Sequence, residues 1–366
     1  HYCDFHFSTS LKNKDALLNA IKKEINFQNT FFSDIDDNDS LIQSIYFGGG
    51  TPSLALDKKE LTEILQTIRD NFNVANDIEI TLEANPDDLS TNYLTGIFEA
   101  GVNRLSVGIQ SFDDKDLAFL NRSHTSNQAL NCIKESSAIG FNDISVDLIY
   151  GIQTSNIDTW KNNLSILSDL YFNHLSCYSL TIEEKTVLHK WIKEGKVNDT
   201  NDEKILEQFN YLVDWANQNK YEHYEISNFC KEGAYSKHNT SYWKNNPYLG
   251  IGPSAHSYNL KDRYWNVKNN NVYIKQLAEG IIPSEKEILT DENKYNEYVM
   301  TGLRTKWGVS LKKLEKDYGS KITTHFLSSA EKLIQQGLII DKDGIYTITP
   351  NGKLISDKII TSLFIA

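Results

Sequence analysis

The chain has 366 residues, 40% of them hydrophobic and 23% charged, with a formal net charge of -12. That length is enough for a sizeable buried core and two or three domains. The acidic balance argues against a general binder of nucleic acid or of anionic membranes, whose phosphates need a positive surface.

The chain opens "HYCDFHFSTS", with Cys3 between aromatic residues, and a helical pattern follows over 11–27. Strand candidates then come at 44–47 ("SIYF"), 77–83 ("DIEITLE"), 104–110 ("RLSVGIQ"), 143–151 ("DISVDLIYG") and 174–181 ("HLSCYSLT"). Helical patterns at 57–72, 89–100, 125–139 and 157–170 separate them, with the i, i+3, i+4 apolar spacing clearest in "LTEILQTI" and "WKNNLSILSDL". Such alternation predicts a parallel sheet with right-handed crossover helices. A closed or partly closed (β/α) barrel is the natural solution, and a flat doubly wound sheet the alternative. The unusual residues favour the barrel, because "GGGTPS", "EANPDD" and "QSF" each follow a strand. Ligands of parallel α/β folds bind at the carboxyl ends of strands.

Past about residue 182 the pattern changes. "EEKTVLHKWIKEGKV" and "DEKILEQFNYLVDWANQN" read as helices and "YEHYEISNF" as one strand, while 228–270 shows no clear period. From about 286 the sequence reads helix, helix, helix, hairpin and helix, with "KDG" as the hairpin turn. No stretch has the length and apolarity of a membrane-spanning helix. The four cysteines, Cys3, Cys132, Cys177 and Cys230, contain no CxxC pair, which suits a reducing cytoplasm. Cys132 and Cys177 are expected to be buried core thiols.

Several strand ends carry chemistry. Three glycines in "FGGGTPSL" let backbone approach a ligand closely, although a tight structural turn would also use them. The run is neither a Walker motif nor GxGxxG. Glu83, Gln110 and Asp147 stand at strand ends and Arg122 in the loop "LNRSHT". A carboxylate, an amide, a guanidinium and a second carboxylate around one mouth suit a zwitterionic, ribose-containing ligand.

Together "YCDF", "YFGGGTPSLA", "LEANPDDL", "GVNRLSVGIQSF", "LNRSHT", "VDLIYG", "YEISNF" and "HNTSYW…YLGIGPSAHSY" resemble the radical S-adenosylmethionine proteins of the HemN/HemW group. The resemblance runs from residue 1 past 300 and is closest to the haem-chaperone branch. It implies an α/β fold: a partial (β/α)6 TIM-like barrel of the radical SAM type, its first strand upstream, with a C-terminal α+β winged-helix-like domain. The expected domains are 1–181 for the barrel, 182–285 for an extension bearing the HNxxYW motif, and 286–366 for the C-terminal domain.

In that family C-x3-C-x2-C holds a [4Fe-4S] cluster, and thiolate ligation of such clusters is general chemistry. Cys3 matches the third cysteine, so the other two are expected before residue 1 and the cluster is incomplete in this sequence. The resemblance gives Gly49, Gly50 and Thr51 to the methionyl amine of S-adenosylmethionine. Glu83, Gln110, Arg122 and Asp147 go to the rest of that cofactor, with Thr181 as a weaker match. One departure is "GIQTSN", where Gln153 stands at the family's proline. Phe5 occupies the place of a further cysteine that marks the oxygen-independent coproporphyrinogen III oxidases, which favours the chaperone branch.

The resemblance assigns His238, Tyr242 and Trp243 to haem; imidazole is a good axial ligand and aromatic rings can stack on a porphyrin. A histidine satisfied by hydrogen bonds in an irregular loop is the structural alternative. His256 is a second candidate ligand and Cys230 a thiolate alternative. The expected function is a haem chaperone that depends on a [4Fe-4S] cluster and S-adenosylmethionine. It would deliver haem to a haem-requiring client protein, membrane-bound respiratory apoproteins included, from the cytoplasm or the membrane surface. Two alternatives stay open: an oxygen-independent coproporphyrinogen III oxidase, and a binding module that kept the barrel without the cluster.

Overall fold

The computed structural model describes residues 12–35, 40–184 and 186–365. Cys3 and Phe5 lie outside the described residues. Two compact units divide the chain: the first takes in residues up to 26, 41–223 and 227–236, the second 27–40, 224–226 and 237 onward. Residues 182–285 are thus shared between the two.

The first unit begins with α1 (Lys14–Phe27) and continues with β1 (Ile42–Phe47), α2 (Lys58–Asn71), β2 (Val74–Ala84), α3 (Thr91–Ala100), β3 (Arg104–Gln110), α4 (Ser126–Ile139), β4 (Asp143–Tyr150), α5 (Ile157–Ser168) and β5 (His174–Ser179). Local chemistry sets the helix ends. Asp57 with Glu60 and Thr125 with Gln128 form capping boxes at the starts of α2 and α4. Gly101, at φ 108°, closes α3 in a left-handed conformation.

Strands β1 to β5 pair in parallel and in chain order. Right-handed crossovers between sequential neighbours put every connecting helix on the same face. That arrangement excludes the doubly wound alternative and gives a curled half-barrel sheet. After α6 (Asp202–Gln218), β6 (Glu222–Glu225) and β7 (Asn228–Cys230) extend the sheet, with β7 antiparallel to β5. The single strand expected over "YEHYEISNF" is therefore two short ones. The helix expected over "EEKTVLHKWIKEGKV" is shorter, Val187–Lys193, because Thr186 caps it and Gly195 (φ 68°) turns the chain out of it.

The two sheet faces differ sharply. Ile80, Leu82, Leu105, Val107, Val146, Leu148 and Leu175 face the helices and join one core with Leu61, Leu94, Ile133, Trp160 and Leu164. Cys132 and Cys177 belong to that core, and burial holds both thiols protonated, Cys132 pushed up to about 12. The alternate residues form the inner face and are polar: Glu79, Thr81 and Glu83 on β2, Arg104 and Ser106 on β3, Ser145 and Asp147 on β4, His174 and Ser176 on β5. At the floor Arg104 Nε lies 3.2 Å from Asp143 Oδ1 and 4.0 Å from Glu79 Oε2.

In the second unit the aperiodic stretch contains α7 (Lys237–Trp243) and two strands, β8 (His256–Tyr258) and β9 (Asp262–Asn266), which form a meander with β10 (Ser284–Ile288) beyond it. A strand of three residues, as β8 is, is too short to leave a period in sequence. Then come α8 (Asp291–Leu303), β11 (Val309–Ser310), α9 (Leu311–Gln335), β12 (Ile339–Lys342) and β13 (Ile345–Ile348). Helix α9 is kinked at Gly319 (φ 77°). The β12–β13 turn holds Asp343 and Gly344 at φ 55° and 79°, the two left-handed residues of a type I′ hairpin. Small sheet, helices and hairpin form the expected winged-helix-like domain around Tyr295, Val299, Phe326 and Tyr346.

Candidate functional site

Glu83, at the end of β2, is the centre of the first unit's site. Its Oε1 accepts the Tyr46 hydroxyl at 2.6 Å and its Oε2 accepts Gly49 N–H at 3.2 Å. Burial is the main force raising its carboxyl above the usual range, and these two donors oppose it. Gly48 is required by close approach: a Cβ there would lie 2.6 Å from Tyr46 Cε1 and 2.9 Å from Glu83 Cδ. Gly49 (φ +80°) and Gly50 are exposed, and a Cβ on either would meet nothing within 4 Å. Backbone is therefore open to a ligand beside a carboxylate.

The neighbouring turns are tied to this centre. Ser53 Oγ donates to Asp88 Oδ2 at 2.6 Å and accepts Asn85 N–H at 3.2 Å, which joins the glycine loop to "EANPDD". Arg122 Nη2 donates to Asn85 Oδ1 at 2.6 Å and to Gly108 O at 3.1 Å. A bulge between Gly108 and Gln110 puts Gln110 in the left-handed region at φ 66°. Bulges re-aim side chains, and here the Gln110 amide folds back until its Nε2 would stand 2.9 Å from a Cβ on Gly108. One step deeper, Asp147 accepts from Ser106 Oγ at 3.0 Å and Ser145 Oγ at 3.2 Å, and the Ser176 hydroxyl on β5 is also hydrogen-bonded to it. Burial pushes its carboxyl up to about 6.

Two expected residues stand differently. Thr51 precedes a single helical turn, Pro52–Ala55, without capping it through its side chain. Thr181 is exposed, donates to Ser179 O at 3.4 Å, and lines an open groove of about 550 Å³ with His189, Lys193, Asp199 and Thr200. At the departure from the family pattern, Gly151 takes φ 79° and Lys204 Nζ binds Ile152 O at 2.6 Å, so the turn is held without a proline. Tyr46, Ser53 and Asn85 were not anticipated. The alternation of "SIYF" places Tyr46 on the inner face, which was the available signal.

In the second unit His238 and Tyr242 lie one turn apart on α7, rings 5.0 Å apart and edge to face. Tyr242 meets Tyr248 at 4.7 Å. Tyr242 is exposed and His238 half-buried. Trp243 is held differently: the Arg304 guanidinium lies 5.7 Å above its ring, and Arg304 pairs with Asp357 at 2.9 Å and with buried Glu225 at 3.6 Å. His256 is exposed beside Trp265, and partial burial with Arg263 and Lys268 lowers its pKa. Cys230, in the first unit, is fully buried. Among the described residues, no three His, Cys, Asp or Glu side chains group to hold a metal ion, and no helix is long and apolar enough to cross a membrane.

A family model described as the radical SAM superfamily matches residues 2–166, and one described as the HemN C-terminal domain matches residues 289–355. The chain is 33% identical over 362 residues to a protein of Bacillus subtilis named heme chaperone HemW, covering 98% of this chain and 94% of that one. It is 29% identical to the heme chaperone HemW of Mycobacterium tuberculosis over 99% of this chain and 90% of that one. Among solved structures it is similar to HemN of Escherichia coli, described as a radical SAM coproporphyrinogen III oxidase, with TM-score 0.80 at 20% identity, covering 98% of this chain and 84% of that one.

Proposed function

Because the chain belongs to the HemW family of radical S-adenosylmethionine proteins, we propose that it binds haem as cargo and passes it to a haem-requiring apoprotein. The observation that carries this reading is the pairing of His238 with Tyr242 on one turn of α7. A half-buried imidazole beside an exposed aromatic edge offers iron a nitrogen ligand and the porphyrin an apolar rim. Trp243, the next residue of the motif, has the Arg304 guanidinium 5.7 Å above its ring. The names of the relatives and the identity along nearly the whole chain support the same reading. The client is inferred to include membrane-bound respiratory apoproteins, met by a cytoplasmic chaperone.

The first unit's mouth fits S-adenosylmethionine. Open backbone at Gly49 and Gly50 beside the Glu83 carboxylate suits the methionyl ammonium and carboxylate, with Thr51 at the loop's end. Asp147 and Gln110 suit ribose hydroxyls, Arg122 the remaining polar edge, and Thr181 the outer rim. Glu83 must be ionised to hold an ammonium, and Tyr46 with Gly49 keeps it oriented. When bound, S-adenosylmethionine with a [4Fe-4S] cluster supplies one-electron chemistry that side chains lack. Cys3 is the residue of this chain proposed to hold that cluster.

The test runs two assays side by side on the full-length protein, with the segment upstream of residue 1 in place, reconstituted anaerobically with iron and sulfide. Hemin binding is expected to give a shifted Soret band that His238→Ala abolishes, with no turnover of coproporphyrinogen III. Robust decarboxylation would overturn the chaperone reading in favour of the oxidase. Failure to take up iron and sulfide would leave the cluster-free binding module.

A further inference from the structure

Below the mouth, the inner face carries a hydrogen-bonded relay that ligand contact does not require. Ser145 Oγ, which donates to Asp147 Oδ1 at 3.2 Å, also lies 2.8 Å from His174 Nδ1. Ser145 and His174 are register partners on β4 and β5 and are 1% and 0% exposed. A serine hydroxyl has one proton to give. Ser176 Oγ lies 3.4 Å from the same hydroxyl; with Ser145 giving its proton to Asp147, Ser145 accepts from His174, and the imidazole is then the Nδ1–H tautomer. Burial, with Arg104 nearby, keeps that imidazole neutral. The carboxylate at the mouth is therefore aimed, through one hydroxyl, by a neutral histidine at the floor. Fully buried polar groups are costly unless paired, and an apolar pair would fill these two positions without that cost.

We propose that Ser145 and His174 are positioning residues acting through Asp147: their relay fixes the orientation and charge of that carboxylate for a ribose-bearing ligand. This rests on the reading that Asp147 contacts S-adenosylmethionine. The other groups facing Asp147 are Tyr46 from β1, Glu83 from β2, Arg104 from β3 and Cys177 from β5. Glu83 raises its carboxyl and Arg104 lowers it, while burial keeps Tyr46 and Cys177 neutral.

The experiment is S-adenosylmethionine binding by calorimetry from about pH 5 to about pH 8. A ribose hydroxyl is held by the ionised carboxylate, so binding weakens as pH falls through about 6. Ser145→Ala removes a donor to the charged form and is expected to move this acid limb up by about one pH unit. His174→Ala is expected to move it the same way, and His174→Asn, whose amide N–H replaces Nδ1–H, to restore it. Asp147→Asn is expected to lower affinity and flatten the limb. If Asp147→Asn binds as wild type at every pH, the underlying reading fails. If it does not, but Ser145→Ala and His174→Ala keep the wild-type midpoint, the relay is overturned. Nitrogen NMR of the histidines gives a ligand-free check: His174 should be the Nδ1–H tautomer, and an Nε2–H tautomer in the wild type refutes the proposal.

Discussion

Asp147 shows how a single residue trades stability for binding. Its carboxyl is held at about 6, chiefly by burial, against an ordinary value of 3.8. A raised carboxyl means that the folded state binds the proton more tightly than the unfolded chain. The penalty is absent below the unfolded value, grows as pH rises from there, and is complete above about 6. A shift of this size corresponds to about 3 kcal/mol. Asp147→Asn is therefore expected to stabilise the protein by up to about 3 kcal/mol at neutral pH, and the gain should vanish near pH 4. Urea denaturation at the two pH values measures it; an equal effect at both would show that packing, not ionisation, is responsible. Cys3 and Asp147 were both singled out as strand-side or loop-side ligand groups from sequence, but the three hydroxyls around Asp147 were not, because they come from three different strands.

At the scale of elements, close backbone approaches decide where glycine is required. Gly250, in "YLGIGPSAHSY", is the tightest case: a Cβ there would stand 2.1 Å from His256 O. Its N–H is also bound to Ser257 Oγ at 2.9 Å, beside the Tyr248–Tyr258 bridge. Gly250→Ala must part these two segments and is expected to cost about 3 kcal/mol, read as a lower urea midpoint. It should also weaken hemin binding, since Tyr248 packs on Tyr242. A wild-type midpoint would show that the loop rearranges freely. Helix ends were legible wherever a capping residue or glycine marked them, as at Asp57, Thr125 and Gly101. The bulge at Gln110 was not, because it follows from register between β3 and β4.

For the whole molecule, the proposed ligands fall on different compact units, S-adenosylmethionine on the first and haem on the second. Glu83→Gln is expected to weaken S-adenosylmethionine binding at least about tenfold, as loss of a charged partner implies, while leaving hemin affinity within about twofold. His238→Ala should do the reverse. Titrating both ligands against both variants checks this, and a shared loss in either variant would mean that the sites are not separate. The sequence by itself determined the βα alternation, the strand-end positions of Glu83 and Gln110, and the family, because these rest on local periodicity and contiguous motifs; Asp147, expected at a strand end, stands in the middle of β4. Only the tertiary structure decided the single-sided winding of the sheet, the polar inner face and the relay from His174 to Asp147. Strand order and register bring together residues tens of positions apart, and a local pattern carries no record of which neighbour a strand will meet.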